Sequence, residues 1–275
     1  MQNSEAATPE KKFYLLKCNF HTHFYETYRN DAKIMVDAYH DAGYDCIALT
    51  EHCCYLKDFD GEKEARAYAE ANYGPDFIVI VGEELNFTIS NNNRIYGMDM
   101  IGLFLDEYIY CGYMSGDPLD LAKFITARQA LDMVHAQGGL GIIAHDNLTA
   151  TFFHAQDYGE GEGLWTWEFR HDLPIDGWEI GNSHTPYLML SHPQESVEEG
   201  YITMANSDAH GVPDIKPRGI CCTYLFVTDK TPEGIKDSLL KKRTVADCNG
   251  KLYGEQRWVD LYIAYRGKGT MRPRN

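Results

Sequence analysis

No stretch of this sequence approaches the ~20 consecutive apolar residues that a membrane-spanning helix needs, although 44% of its 275 residues are hydrophobic. A membrane is therefore not an expected partner. The first residues, Met1 to Lys12, are polar and hold no apolar core of the kind a secretory signal carries. They read as a flexible leader, 1–12, and the expected location is cytoplasmic. Basic residues are scarce too, with 25 Lys and Arg against 41 Asp and Glu and a formal net charge of −16. Binding to a nucleic acid polymer rests on neutralising its phosphates with Lys and Arg, so this balance argues against such a partner. A small anion can still be held if cations line its pocket. There is no Cys-x-x-Cys spacing. The eight cysteines sit largely in or beside apolar runs, such as Cys46 before Ile47-Ala48-Leu49, and read as reduced core thiols. Neither an internal repeat nor a linker interrupts residues 13–275, which read as a single domain of a size usual for an α/β barrel.

The chain alternates between buried-strand and helix patterns. An apolar run at Phe13-Tyr14-Leu15-Leu16 leads to Phe20-His21-Thr22-His23, and a helix-compatible pattern follows from Asp31 to Gly43. The run from Asp45 ends in Thr50-Glu51-His52, as in a strand covered on both faces. A helix over Glu62–Tyr73 precedes the strand Phe77–Val81, which ends in Gly82-Glu83-Glu84, and a further strand spans Asp99–Leu105. Leu119–Gln137 carries an apolar helical stripe, and the strand Leu140–Ala144 runs straight into His145. Residues 146–175 read as an insertion that shapes the pocket, with glycines and acids alternating before Trp165 and Trp167. Strands at Gly177–Ile180, Tyr201–Ala205 and Ile220–Val227 and a helix at Pro232–Lys242 complete the pattern. Repeated strand-then-helix order implies a parallel sheet with right-handed crossovers.

Titratable residues gather after the strands, where α/β folds place their active sites. His21 and His23 form a His-x-His pair, and His52, Glu83, Asp99, His145, Asp208 and His210 join them. Imidazole with carboxylate and without thiolate suits zinc, manganese or iron in a hydrolytic site. The donors exceed one tetrahedral shell, and a shared carboxylate can bridge two ions. Glu83 and Glu84 compete for that role, and strand alternation is read as favouring Glu83. His184, after Glu179-Ile180-Gly181-Asn182, is a candidate for the pocket wall. Arg29 and Arg218 are the cations nearest the ligands in sequence and candidates for a substrate phosphate.

The ordered set His-x-His, Leu-Thr-Glu-His, Gly-Glu-Glu, Ile-Gly-Leu-Phe, Ile-Ala-His and Ser-Asp-Ala-His resembles the PHP family, named for polymerase and histidinol phosphatase. The resemblance spans about Asn19 to His210. It implies an α/β fold, a distorted (β/α)7 TIM-like barrel of the PHP type, with two or three divalent metal ions that hydrolyse phosphate esters through a metal-bridging hydroxide. It assigns the first metal to His21, His23, Glu83 and Asp208, the second to Glu83 and His145, and the third to His52 and His210. Asp208 and His210 would be catalytic. Two positions depart from the family pattern. Asp99 stands where His is usual, which shifts the second site towards harder metals. The third site's usual Asp after His-x-His has only Glu26 as a substitute. The implied function is a metal-dependent phosphoesterase acting on a small phosphorylated metabolite. Two alternatives remain: a metal-dependent hydrolase of an unphosphorylated amide or lactone bond, and a non-catalytic metal- or ligand-binding module. The sequence does not give an oligomeric state.

Overall fold

The computed structural model describes residues 12–28, 31–91, 94–118, 120–146, 166–184, 188–215 and 220–267. The chain opens with β1 (Tyr14–Asn19), a one-turn helix α1 (Tyr25–Tyr28) and α2 (Lys33–Asp41), which Gly43 ends in a left-handed conformation. There follow β2 (Cys46–His52), α3 (Asp60–Tyr73), β3 (Ile78–Asn91) and β4 (Arg94–Leu103). Next come α4 (Ala127–Ala136), β5 (Leu140–Ile143), β6 (Gly177–Asn182), β7 (Met189–Leu190), α5 (Pro193–Glu198) and β8 (Ile202–Asn206). The last elements are β9 (Cys221–Val227), α6 (Pro232–Leu240), β10 (Thr244–Cys248), β11 (Lys251–Tyr253) and α7 (Gln256–Gly267).

The strands form one eleven-stranded sheet in the order β11-β10-β9-β1-β2-β3-β4-β5-β6-β7, with β8 pairing to β6. The sheet curls into a half-barrel of the distorted TIM-like kind. It is mixed rather than parallel throughout. β1–β2, β2–β3, β5–β6 and β6–β8 are parallel, whereas β9–β1, β3–β4 and β4–β5 are antiparallel. The expected strand at Phe77–Val81 extends to Asn91 and returns directly as β4, so this unit is a hairpin without a crossover helix. Its strands approach closely: a Cβ at Gly82 would collide with the Gly102 carbonyl oxygen. The helix expected from Leu119 begins only at Ala127, where the Thr126 side chain and Gln129 form a reciprocal cap. Beside it, β8 and β9 meet through side chains. The Thr223 hydroxyl accepts from the Ala205 N–H at 2.9 Å and donates to the Ala205 carbonyl at 2.9 Å.

One apolar cluster fills the inside of the curl and explains where the site lies. It collects Leu16 and Cys18 of β1, Cys46 and Ala48 of β2, Ile78 and Ile80 of β3, and Ile101 and Leu103 of β4. β5, β8 and β9 contribute Ile142, Met204 and Leu225, and α6 contributes Ile235 and Leu239. Side chains alternate along a strand. The next inward positions are therefore Thr50 and His52 on β2, Gly82 and Glu84 on β3, and Asp99 on β4. Polar groups thus stack directly on the apolar floor. The outer faces of the strands pack against helices: Met35 and Val36 of α2, Ala65 and Ala69 of α3, and Tyr262 of α7 form a second cluster, and Ala130 and Leu131 of α4 belong to a third.

Cys53 and Cys111 are joined by a disulfide across 58 positions, with Cα atoms 6.3 Å apart. The expectation that all eight cysteines are reduced therefore fails for this pair, because the fold brings together two turns whose proximity sequence spacing does not encode. The other six cysteines are buried and form no disulfide among the described residues. Among the described residues no helix is long and apolar enough to cross a membrane.

Glu62 on α3 is 1% exposed. Burial, with a smaller push from the charge of Glu51, raises its pKa from 4.5 to about 8. An acid with a raised folded-state pKa binds its proton more tightly when folded. Its stabilising share is therefore full below pH 4.5 and is lost as pH rises to about 8. Glu62→Gln should leave the melting temperature unchanged at pH 4.5 and raise it at pH 8.5, by on the order of 2–4 kcal/mol of stability. Thermal unfolding of both proteins across this range checks it, and equal pH slopes would refute it.

Candidate metal centre

His21 and His23 follow β1 and are 0% and 1% exposed. The His23 N–H donates to the Ala209 carbonyl at 2.8 Å, which ties this loop to the segment after β8. Two buried carboxylates behind the pair fix both rings. Glu179 on β6 accepts from His21 Nδ1 at 3.0 Å, and Glu51 on β2 accepts from His23 Nδ1 at 3.3 Å. Each Nδ1 is thereby a donor, which leaves each Nε2 lone pair directed inward. Glu51 also accepts from the backbone N–H groups of Phe24 and Tyr25, at 2.7 and 2.6 Å. Glu179 accepts from the His145 N–H at 3.0 Å, from Asn182 Nδ2 at 2.9 Å and from Asn206 Nδ2 at 3.0 Å.

Glu84 occupies the centre. One or other carboxylate oxygen lies 3.4 Å from His21 Nε2, 3.6 Å from His23 Nε2, 2.6 Å from His52 Nδ1 and 2.9 Å from His145 Nε2. Asp208 Oδ1 lies 3.4 Å from His21 Nε2 and 3.0 Å from His23 Nε2. The Asp208 backbone carbonyl accepts from His210 Nδ1 at 3.0 Å and from His184 Nδ1 at 2.9 Å. That bond leaves His210 Nε2 as an acceptor, and it lies 3.4 Å from His52 Nε2. His145 and Asp208 both have positive φ, 28° and 51°. Both residue types enter the left-handed region more readily than most, and such backbones cluster at functional sites.

The structure places Glu83 elsewhere. Its side chain is on the outer face of β3, where the Ile109 N–H donates to Oε1 at 3.0 Å. Burial, together with the charge of Glu62, holds its pKa well above the usual carboxylate range. Glu84 takes the position that strand alternation in the sequence assigns to Glu83. The reason lies in the length of β3. The strand does not end near Val81, and the inward parity of Ile78 and Ile80 carries on to Glu84.

The other sequence candidates divide as follows. His21, His23, His52, His145, Asp208 and His210 converge, and Asp99 faces the same space from β4, with Asn86 Nδ2 donating to its Oδ1 at 2.5 Å. His184 is exposed at the edge, its ring centroid 4.4 Å from that of His210. Arg29, Arg218, the side chain of Glu26 and most of the 146–175 segment, Trp165 included, lie outside the described residues. Glu179, Glu51, Asn182 and Asn206 were not picked out by sequence reasoning. Their signal is a polar residue inside an otherwise apolar strand, as in Trp178-Glu179-Ile180.

The electrostatics are those of interlocked opposite charges. Burial alone would lower the His23 pKa, but Asp208, Glu51 and Glu84 outweigh it and push it up to about 10. His145 is raised in the same way to about 9, chiefly by Glu84 against burial. His21 is held well above its usual range by Asp208, Glu179 and Glu84, again against burial. Burial would raise Glu84 and Asp208, yet the surrounding imidazoles hold both well below the usual carboxylate range. Glu51 falls to about 2 because hydrogen bonds and charge from His23 overcome its burial. His210 is lowered to about 4 by burial and by the charge of His23.

The donor set fits divalent cations. His21 Nε2, His23 Nε2 and Asp208 Oδ1 are buried with no hydrogen-bond partner among the described residues, a costly arrangement unless a cation sits between them. Five overlapping triads hold their ligand atoms within 4.8 Å of one another: His21/His23/Asp208, Glu84/Asp99/His145, His23/His52/His210, His184/Asp208/His210 and His21/His145/Glu179. Glu179 already orients His21 through Nδ1, so it acts as a supporting group in the last triad.

No family model and no curated protein matches this sequence. Solved structures do. The chain aligns with a two-domain protein from Bacteroides vulgatus that contains a predicted PHP-like metal-dependent phosphoesterase. The TM-score is 0.66 at 19% identity, over 96% of this chain and 74% of that one. A lesion-specific endonuclease from Pyrococcus furiosus aligns more loosely, with a TM-score of 0.48 and 13% identity over 83% of this chain and 56% of that one. An amidohydrolase from Chromobacterium violaceum aligns with a TM-score of 0.44 and 12% identity, over 70% of this chain and 87% of that one. The fold of this chain is the distorted barrel seen in the Bacteroides protein.

Proposed function

We propose that this protein is a metal-dependent hydrolase of phosphate monoesters of a small metabolite. One observation carries the reading: imidazole and carboxylate donors in excess of a single ion's shell converge on the buried carboxylate of Glu84. In this reading His21, His23, Glu84 and Asp208 hold a first ion, and Glu84, Asp99 and His145 hold a second. His52 and His210 hold a third, with His23 close to both. Bound there, such ions acidify water and neutralise charge on a phosphoryl group. The rest is the work of the chain. Glu51 and Glu179 hold the Nδ1 side of each paired histidine, so that Nε2 is the nitrogen turned towards the ion. Asp208, ionised and fixed by Asn182 Nδ2 at 3.1 Å, is the group able to take a proton from the attacking water. The apolar floor excludes bulk water from below. Asp99 adds a hard oxygen donor and favours manganese or iron over zinc at the second ion. His184 stands at the rim, where it can meet the substrate.

The test is phosphate release from p-nitrophenyl phosphate and a panel of metabolite monoesters, using protein stripped and reloaded with manganese, zinc or iron. Metal analysis should give at least two ions per chain. Turnover should vanish with chelator and return with metal. Asp208→Asn should retain much of its metal yet lose on the order of a hundredfold or more in turnover, the scale of acid–base assistance. His23→Ala should lose metal and activity together. Hydrolysis of lactones or amides without phosphate release would instead favour the unphosphorylated-bond chemistry. Ligand binding without turnover of any of them would favour a binding module.

A further inference from the structure

Tyr25, at the start of α1 just after the His21–His23 pair, and Tyr55, in the turn just after His52, stack on each other. Their ring centroids are 5.3 Å apart and their planes 10° from parallel. Tyr55 in turn meets the His52 ring edge-on at 5.8 Å. His52 stacks on His23 at 4.1 Å, so an unbroken series of rings runs outward from the donor cluster.

Both tyrosines are half-buried, and neither packs against any of the three apolar clusters. Their backbones are nonetheless tied to the centre: the Tyr25 N–H donates to Glu51 Oε2 at 2.6 Å and the Tyr55 N–H to the His52 carbonyl at 3.0 Å. A stacked pair of half-buried rings outside those clusters, pinned by its backbone to the residues behind two ligands and joined through His52 to the donor cluster, has the makings of a recognition surface. Aromatic faces attract other planar rings in offset or edge-on geometry, beyond what area alone gives.

We infer that the Tyr25–Tyr55 pair is a specificity wall that binds a planar aromatic ring in the organic part of the substrate. The inference rests on the phosphoester reading for the other half of the molecule: the cluster takes the phosphoryl group while the tyrosines take the ring. The substrate class is then a phosphate monoester whose alcohol carries an aromatic or heteroaromatic ring close to the ester oxygen.

Phenyl phosphate and cyclohexyl phosphate test this, since they match in size and differ in aromaticity. The wild-type enzyme should favour the phenyl ester through KM, by roughly threefold to tenfold, the range of an aromatic pair. Tyr25→Leu and Tyr55→Leu should each bring the two KM values together, chiefly by raising the phenyl KM, with metal content retained. Tyr55→Phe should restore the preference. An unaltered phenyl preference in both leucine variants would overturn the wall. If wild-type protein releases phosphate from neither ester, the phosphoester reading fails. The wall is then judged by calorimetric binding of phenylphosphonate against cyclohexylphosphonate, with the same ratio supporting it and equal affinities overturning it. Should one leucine variant fail to fold, the other decides between these outcomes.

Discussion

Glu84→Gln should purify with most of its metal missing and with turnover reduced roughly a thousandfold, the upper end of what losing one electrostatic contact in an active site costs. Glu83→Gln, one residue away, should keep both metal and turnover. The contrast follows from where the two side chains point. Glu84 reaches nitrogens of four histidines, so an amide there removes a negative charge that all of them share. It also takes away one of the charges that hold the buried imidazoles of His21, His23 and His145 above their usual range. Glu83 lies on the other face of the same strand, its pKa pushed well above the usual range by burial. A buried acid pushed towards its neutral form is nearly matched by glutamine in shape and charge. Metal analysis and steady-state kinetics on the two variants decide the matter. Metal loss in Glu83→Gln with retention in Glu84→Gln would reverse the assignment.

The apparent metal affinity of the first site should climb with pH, by on the order of tenfold per unit or more between pH 6 and 8. Metal takes only the neutral imidazole, so each protonated ligand must give up a proton when the ion binds. In chelator-treated protein His23, with a pKa of about 10, carries its proton across this range, and the upward shift of His21 works in the same direction. Displacing the His23 proton alone makes the affinity vary inversely with the proton concentration, and His21 can only steepen that dependence. The sign is therefore that acid weakens binding, and the gain flattens once pH exceeds the His23 value. Asp208 and Glu84 add no slope, because both stay ionised well below this window. Competition titrations with a chromophoric chelator at several pH values measure it. An affinity independent of pH from 6 to 8 would show that the ion binds away from His21 and His23.

Much of the centre was legible because its histidines follow apolar runs. His21, His23, His52 and His145 each come at or just past the end of a strand, and Asp208 and His210 follow β8. Sequence alone can see that placement. The choice between Glu83 and Glu84 was not legible, for a physical reason. β3 is apolar on both faces, so alternation shows no difference between inward Ile78 and Ile80 and outward Val79 and Val81. The parity became visible only when the inner cluster was known. The β3–β4 hairpin was hidden for a related reason. Asn92-Asn93 lies between two strands that alternate weakly, and the strand-then-helix rhythm on either side favoured a crossover. Glu51 stood in the Leu-Thr-Glu-His motif, where the family usually has Asp, without a role, and Glu179 escaped notice, because supporting carboxylates carry no spacing of their own; the fold alone sets them behind His23 and His21.

β1 lies between β2 and β9, with Leu16 in register with Leu225. The Phe20 N–H donates to Asn206 Oδ1 across 186 positions, and the Ser207 N–H donates to Asn19 Oδ1 across 188. During synthesis β1 must therefore wait for partners that follow it by 186 positions or more. Closing loops of that length is slow, and a chain emerging from its N-terminus holds His21 and His23 long before Asp208 exists. A nascent chain can thus offer an ion only a fragment of the final shell. Selection among the cell's metals falls to the folded protein, once β8 and β9 have joined β1.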